Sequence, residues 1–419
     1  MTRAATAKVP APRPAHRRRN DGQAPRGCFD DPHLLDALQE MEALGLRVAP
    51  TAHAGAIPFD VLAGRARLRW FLLPRRPHAA SVAALAMIQP LRPVARAFKL
   101  AMVGAARVGV PRVWRQGTLH VSGAIRCADV FGPDTTQAAF LTGTAGPHRK
   151  LTVQLMTARG DIRGYAKVSR TPAGQALIAN EGLVLAQLRA LGLHAATVPR
   201  VLLRETRNGA AVLATDSART PHDACSVHLR PAHLAFLEEL AARTASPRVP
   251  DGGKLLRGLR AQVTQLAPAL PYAWRPRLER ALQELAFMPS LIAPRGLAHG
   301  DFTPGNTFRH RDRLCVFDWE YAGYAYPADY DLIRFLLAAR DLRRADAVER
   351  CFAIAARLSR DFNRPPAAAH ARLTAFLCTR NLMLAGRRAN RVAPLPGWEG
   401  DRTAARMLDA LLAGPGRLS

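Results

Sequence analysis

The stretch from Leu297 to Glu320, LAHGDFTPGNTFRHRDRLCVFDWE, constrains this chain more than any other. In it His299-Gly300-Asp301 is followed five residues after the aspartate by Asn306, and twelve residues further on Asp318 closes the apolar run Leu314-Cys315-Val316-Phe317. Pro304 and Gly305 turn the chain tightly, so Asp301 and Asn306 are placed to face one cleft. The apolar run reads as a short strand whose rigid backbone positions Asp318. A carboxylate that accepts a hydroxyl proton, beside an amide oxygen and a second carboxylate that hold magnesium against phosphates, is what phosphoryl transfer needs. Asp301 is therefore the candidate catalytic base, and Asn306 and Asp318 are the candidate metal ligands. His299 stands two residues before the base and points elsewhere, so a supporting role is expected for it.

HGDFTPGN followed by VFDWE resembles the catalytic and magnesium loops of the aminoglycoside phosphotransferase and choline kinase family, small-molecule relatives of protein kinases. Asp318-Trp319-Glu320 stands where protein kinases carry aspartate-phenylalanine-glycine, which points to the small-molecule branch. The resemblance spans roughly residues 135 to 390. It implies an α+β, two-lobed kinase-like fold, with a strand-rich small lobe and a helical large lobe. It also implies ATP and Mg2+ as cofactors, and an aspartate at a helix start, matched by Asp331, that braces the catalytic loop through backbone hydrogen bonds. A plain helix cap explains Asp331 equally well. His310-Arg311-Asp312 spells the protein-kinase catalytic triplet, but five residues past Asp312 lies Phe317, which offers no metal ligand. That triplet reads as a solvated turn.

Upstream, Ala138 to Thr142, Leu151 to Met156 and Gly164 to Val168 read as strands. Between the first two, Gly143-Thr144-Ala145-Gly146 occupies the place of a phosphate-covering loop, so Gly143 and Gly146 are candidate nucleotide contacts, although full G-x-G-x-x-G spacing is absent. Lys167 sits centrally on an apolar strand, where an ammonium is costly unless paired. Only five of the 60 basic residues are lysine, and a compact ammonium here suits the α- and β-phosphates. Glu181, read as opening a helix with Leu183, Val184, Leu185 and Leu188, is its expected partner; in the resembling family an ion pair of this kind fixes the lysine. Pro199 to Leu203 and Ala210 to Thr215 complete five strands around the turn Asn208-Gly209, and Thr215 to Pro221 forms the hinge.

Charge separates the rest of the chain. Residues 1–27 are rich in Pro, Ala and Arg and read as a disordered basic leader. Residues 28–129 form a basic amino-terminal extension, partly helical. Between Asp60 and Asp129 there is no acidic residue, against eleven arginines and Lys99. Along Arg92 to Val108 the stripe Arg92, Arg96, Lys99 and Arg107 opposes Val94, Phe98, Ala101 and Ala105. Such a helix lies on an anionic membrane through residues 61–128, or it packs its apolar face on the protein and leaves the cations in water. Residues 130–216 are the small lobe and 217–419 the large lobe, with helices at Leu234 to Thr244, Pro276 to Phe287, Tyr330 to Ala339, Ala345 to Leu358 and Ala367 to Ala385.

Six scattered cysteines without a C-x-x-C pair, no apolar leader and no long apolar run point to a reduced, cytoplasmic protein, peripheral at most at the inner face of the membrane. Zinc helices, nucleophile elbows and Walker loops are absent. No nucleic-acid partner is expected, because only charge would support one. The expected activity is transfer of a γ-phosphoryl group from ATP to a hydroxyl of a small molecule: a sugar, an amino alcohol, an aminoglycoside, or a glycan or lipid precursor. The net charge of +28 favours neutral or anionic acceptors, and Asp329 or Asp341 would have to supply the acidity a cationic one needs. The alternative is a weakly catalytic pseudokinase or scaffold whose basic segment binds a membrane or a partner.

Overall fold

The structure, a computed structural model, describes residues 28–64, 69–109, 115–125, 127–143, 146–223, 225–246, 251–339, 346–389 and 399–414. The basic leader of residues 1–27 lies outside the described residues. The architecture is α+β and two-lobed.

The chain begins with α1 (Pro32–Ala43), started by Asp31, whose carboxylate accepts from His33 N at 2.9 Å and Leu34 N at 3.2 Å. That cap satisfies amides that no helical carbonyl can reach. There follow β1 (Arg47–Ala49), β2 (Ile57–Ala63), β3 (Trp70–Pro74), α2 (His78–Ala84), α3 (Pro93–Arg107) and β4 (Arg115–Ser122). Next come β5 (Thr135–Thr142), β6 (Leu151–Thr157), β7 (Ile162–Ser169), α4 (Pro172–Leu191), β8 (Ala196–Thr197), β9 (Val201–Arg207) and β10 (Ala210–Asp216).

The five strands expected from sequence lie together, but they are one half of a nine-stranded sheet ordered β1-β4-β2-β3-β5-β6-β7-β10-β9. The other half is built by residues 28–129, and β3 pairs antiparallel with β5 through Phe71↔Leu141 and Leu72↔Phe140. A sheet edge leaves backbone groups unpaired, and here the extension covers the β5 edge.

Period-two alternation assigns the two faces. Phe140, Val153, Val168 and Val212 join Leu34, Met41, Phe59 and Trp70 in one core under α1. Ala139, Met156 and Ile162 point the other way, into a core with Ala80, Ala83 and Met102 from α2 and α3. Gln154 on that second face is fully buried and donates to Ala83 O at 2.9 Å.

Helix α3 inverts one of the two expected orientations. Arg96 and Lys99 are turned toward the protein, where Arg96 donates to Cys225 O at 3.4 Å. Val94, Phe98 and Leu100 are 83%, 51% and 71% exposed. The buried residues of α3 are instead Met102 and Ala106, which pack with Ala80, Ala83 and Ala84 of α2 in one core. Helix α4 also differs from expectation: it starts at Pro172 behind the Thr171 cap, so Glu181 sits mid-helix and not in its first turn. Thr171 Oγ1 accepts from Gly174 N at 3.1 Å, a start signal that lies outside the apolar run.

The large lobe contains α5 (Pro231–Thr244), α6 (Gly252–Leu266), α7 (Trp274–Leu285), the hairpin β11 (Thr307–His310) and β12 (Arg313–Val316), then α8 (Tyr330–Ala338), α9 (Ala347–Arg360), α10 (Pro366–Ala389) and α11 (Glu399–Ala413). Helices α6 and α11 add to the five expected ones. They bury Leu255, Leu259, Met407 and Leu411 in the same core as Phe376 of α10. Cysteines 127, 225, 315, 351 and 378 are buried and free. Among the described residues no helix is long and apolar enough to cross a membrane.

Candidate active site

The loop before β11 is braced from beneath. Asp331, buried in the first turn of α8, accepts from His299 N at 2.6 Å and from Gly300 N at 3.0 Å. Burial pushes the Asp331 carboxyl up, opposed by His299 and these two amides. A Cβ on Gly300 would meet Tyr321 O at 2.3 Å, and its φ is +79°, so only glycine lets the loop cross that carbonyl. The buried His299 ring receives Asp301 N at Nδ1, 3.3 Å, and meets Phe317 O at Nε2, 3.0 Å. A ring carrying its proton on Nε2 satisfies both contacts, ties the loop to the strand leading to Asp318, and leaves His299 no free nitrogen for proton transfer.

Asn306 closes the turn. Its Nδ2 donates to Asp301 O at 2.9 Å and Oδ2 at 3.1 Å, leaving its amide oxygen as an acceptor. The other carboxylate oxygen of Asp301, Oδ1, is 2.8 Å from Arg334 Nη2 of α8. Asp301 thus bridges two surroundings: Asn306 on one oxygen and a guanidinium on the other. The His310-Arg311-Asp312 triplet forms the β11–β12 turn, with positive φ at Arg311 and Asp312 and the Asp312 side chain fully exposed.

Lys167 of β7 reaches across to the segment after β12. Its Nζ lies 2.6 Å from Glu181 Oε2, 3.4 Å from Glu320 Oε2, and in contact with Asp318 Oδ1. Burial alone would lower this ammonium, but Asp318, Glu181 and Glu320 raise it well above its ordinary range. Burial works to raise the Asp318 carboxyl, and Lys167 overrides it, holding the group well below the usual carboxylate range. Glu320 is pushed up to about 7 by burial and by the neighbouring Asp318. Glu181, Asp318 and Glu320 each offer an oxygen within 4.8 Å of the others. Three carboxylates and an amide oxygen are the hard oxygen donors that suit magnesium. Asp318 has φ +71°, a strained conformation for a side-chain-bearing residue, which the Lys167 contact and the buried Trp319 hold in place.

Part of this cluster lines a cleft of about 710 Å³ between the lobes, the size of a small-ligand site. Its walls include Lys167, Glu181, Asn306 and Asp318, the segment from Thr215 to Arg219, and Phe317. Gly143 and Gly146 are not among them. Gly143 N donates to Lys150 O at 2.7 Å, closing the β5–β6 hairpin, and a Cβ there would come within 2.6 Å of that oxygen. The glycine is explained by this close approach of backbone to backbone. Residues 144 and 145 lie outside the described residues.

Four features of the site escaped the sequence reading. Glu320 stands two residues beyond Asp318, and that spacing was its available signal. Lys150, which contacts Glu320, is one of only five lysines in the chain. Arg334 and the Met87–Pro90 wall of the cleft have no sequence signal, since nothing local connects them to the loop.

A family model described as "Phosphotransferase enzyme family" matches residues 145–370. Among solved structures, the chain is similar to a choline/ethanolamine kinase family protein from Mesorhizobium loti, at 15% identity over 63% of this chain and 86% of that one, with a TM-score of 0.41. It is similar to an amicoumacin kinase in complex with AMP-PNP and Ca2+, at 16% identity over 67% and 89%, with a TM-score of 0.42. It is also similar to a macrolide 2'-phosphotransferase from Brachybacterium faecium, at 18% identity over 64% and 89%, with a TM-score of 0.36. No curated protein matches the chain.

Proposed function

The chain belongs to the phosphotransferase enzyme family, and from that premise we propose that it moves the γ-phosphoryl group of ATP, with Mg2+, to a hydroxyl of a small molecule. The observation that carries this reading is the convergence on one cleft of Lys167, Asn306 and Asp318, with Asp301 hydrogen-bonded to Asn306 at its edge.

Asp301 orients the acceptor hydroxyl and takes its proton; because the transition state is loose, orientation is the larger part of its task. Asn306 holds Asp301 from one side and turns its amide oxygen to the metal, with Asp318 as the second ligand and Glu320 beside it. Asn306 and Asp318 would hold magnesium, which would neutralise negative charge on the phosphates. Lys167, fixed by Glu181, meets the α- and β-phosphates. Lys150 is ion-paired with Glu320 and so holds that carboxylate beside Asp318. His299 and Asp331 keep the loop in register. Asp301→Asn should lower acceptor-dependent turnover on the order of 10²- to 10⁴-fold while retaining Mg-nucleotide binding. ATP consumption unchanged in that variant refutes the assignment.

A second reading concerns location. We propose that α3 rests on the anionic inner face of a membrane, as supported by its exposed Val94, Phe98 and Leu100 flanked by exposed Arg92 and Arg107. Apolar insertion beside basic side chains is how interfacial helices bind. Salt-sensitive flotation with anionic liposomes is the expected result, and its absence removes this reading.

A further inference from the structure

What the acceptor is can be narrowed from the surroundings of Asp301 Oδ1; this step rests on the phosphotransferase reading. Arg334 holds that oxygen at 2.8 Å. Helix α10 crosses nearby with Arg380 and Arg387, seven residues and so two turns apart on one face. The Arg387 guanidinium stacks 3.9 Å over the Tyr321 ring. Tyr321 in turn meets His148 of the β5–β6 hairpin through its hydroxyl at 3.3 Å, and its carbonyl accepts from Tyr326 Oη at 2.7 Å. Arg380 is electrostatically coupled to Arg334, Asp301 and Arg387; burial first, then Arg334, pushes its guanidinium down to about 10. Among the described residues, Asp301 is the only carboxylate ion-paired with any of the three. Of the two acids named for a cationic acceptor, Asp329 is taken by Arg364 at 2.9 Å and Arg372 at 2.6 Å, and Asp341 lies outside the described residues.

With Asp301 the one carboxylate ion-paired to these three arginines among the described residues, the guanidinium groups of this partly buried corner are not each matched by an acid of their own. Crowding like charges out of water is unfavourable unless an anion completes the group. The planar guanidinium fork matches carboxylate and phosphate oxygens two at a time. We propose that the acceptor is an anionic hydroxyl compound whose carboxylate or phosphate is received by Arg334, Arg380 and Arg387. In this arrangement Tyr321 carries Arg387 in place, and the acceptor's anion draws Arg334 away from Asp301. That frees Oδ1 for the hydroxyl, so Arg334 is a positioning residue that couples acceptor binding to readiness of the base. An ammonium-bearing acceptor meets repulsion at the same place.

The test measures acceptor binding to the full chain saturated with AMP-PNP and Mg2+, using matched compounds: glycerol, glycerate and glycerol 3-phosphate; glucose, gluconate, glucose 6-phosphate and glucosamine. The acids should bind at least tenfold more tightly than their neutral partners, with glucosamine weakest, and the carboxylate and phosphate arms identify which anion fits. Arg380→Gln and Arg387→Gln should each lose about 10- to 100-fold of the acid's affinity, the range for a charge-assisted contact, with AMP-PNP affinity kept as evidence of folding. Arg387→Lys should recover part of it. Neutral or amino partners binding as tightly as the acids, or acid binding that survives both substitutions, overturns the proposal. Because binding is read without chemistry, the two readings separate. Acids held through the arginines but never phosphorylated would sink the phosphotransferase reading alone, and preferential phosphorylation of a neutral or cationic compound would sink the anion reading alone.

Discussion

Strands β1 to β4 and strands β5, β6, β7, β10 and β9 are two halves of one sheet that divide the labour unequally. The second half holds Lys167 and the hinge; the first holds none of the candidate catalytic side chains. Yet Trp70 and Phe59 of the first half share a core with Phe140 and Val168 of the second, and Met87 to Pro90 wall the cleft. Arg149, at the foot of the β5–β6 hairpin, is held by Asp36 and Glu40 of α1 at 3.1 and 3.4 Å. The amino-terminal half is thus structural support for the half that carries Lys167: it closes an edge, fills a core and pins a hairpin.

The largest effect is expected from removing residues 1–129. With the β5 edge bared and half of the shared core gone, the remainder should fail to fold and should aggregate. A soluble truncated chain that still shows nucleotide-dependent thermal stabilisation would refute that supporting role. Trp70→Ala sharpens the same point within the intact chain. Trp70 is fully buried, and its loss should cost about 3–5 kcal/mol in denaturant unfolding, with AMP-PNP binding lost in the same transition.

A smaller effect tests the hairpin pin. Glu40 is 1% exposed, and burial, only partly offset by Arg149, pushes its carboxyl from the ordinary 4.5 up to about 7. Between those values the unfolded chain has released its proton while the folded chain keeps it, so stability falls as pH rises through that window. Glu40→Gln should flatten this dependence, gaining on the order of 1–3 kcal/mol over the natural chain at pH 8 and little at pH 4. An unchanged pH profile would count against the buried pair.

The smallest effect is expected at α3. Phe98→Ser with Leu100→Ser should change stability by less than about 0.5 kcal/mol per site, because both side chains are exposed, while liposome flotation falls. A cost above that would mean this face is covered by protein.

The candidate catalytic segment was legible because its information is local: Asp301, Asn306 and Asp318 lie within eighteen residues, and turn and strand chemistry alone bring the first two together. Lys167 and Glu181 were legible as a pair because a lysine on an apolar strand demands an acid. The strands of residues 28–129 were not, since β1 and β3 span three and five residues and show no sustained alternation. The face of α3 could not be read either, because its moment reports amphipathicity and not which side meets the protein. The start of α4 was hidden behind Thr171, a cap preceding a run of small residues.

By itself the sequence determined the donor set near Asp301, the strand–turn–strand that carries it and the lysine that faces it, because spacing within one segment limits where side chains can go. Long-range packing set the rest: a basic extension completes the sheet that carries Lys167, Glu320 joins Asp318 around Lys167, and Arg334 pairs with Asp301 while Arg387 stacks on Tyr321. Those groups come from segments whose meeting is set by how helices and sheet faces pack, and no local pattern encodes a contact between residues 33 to 153 positions apart.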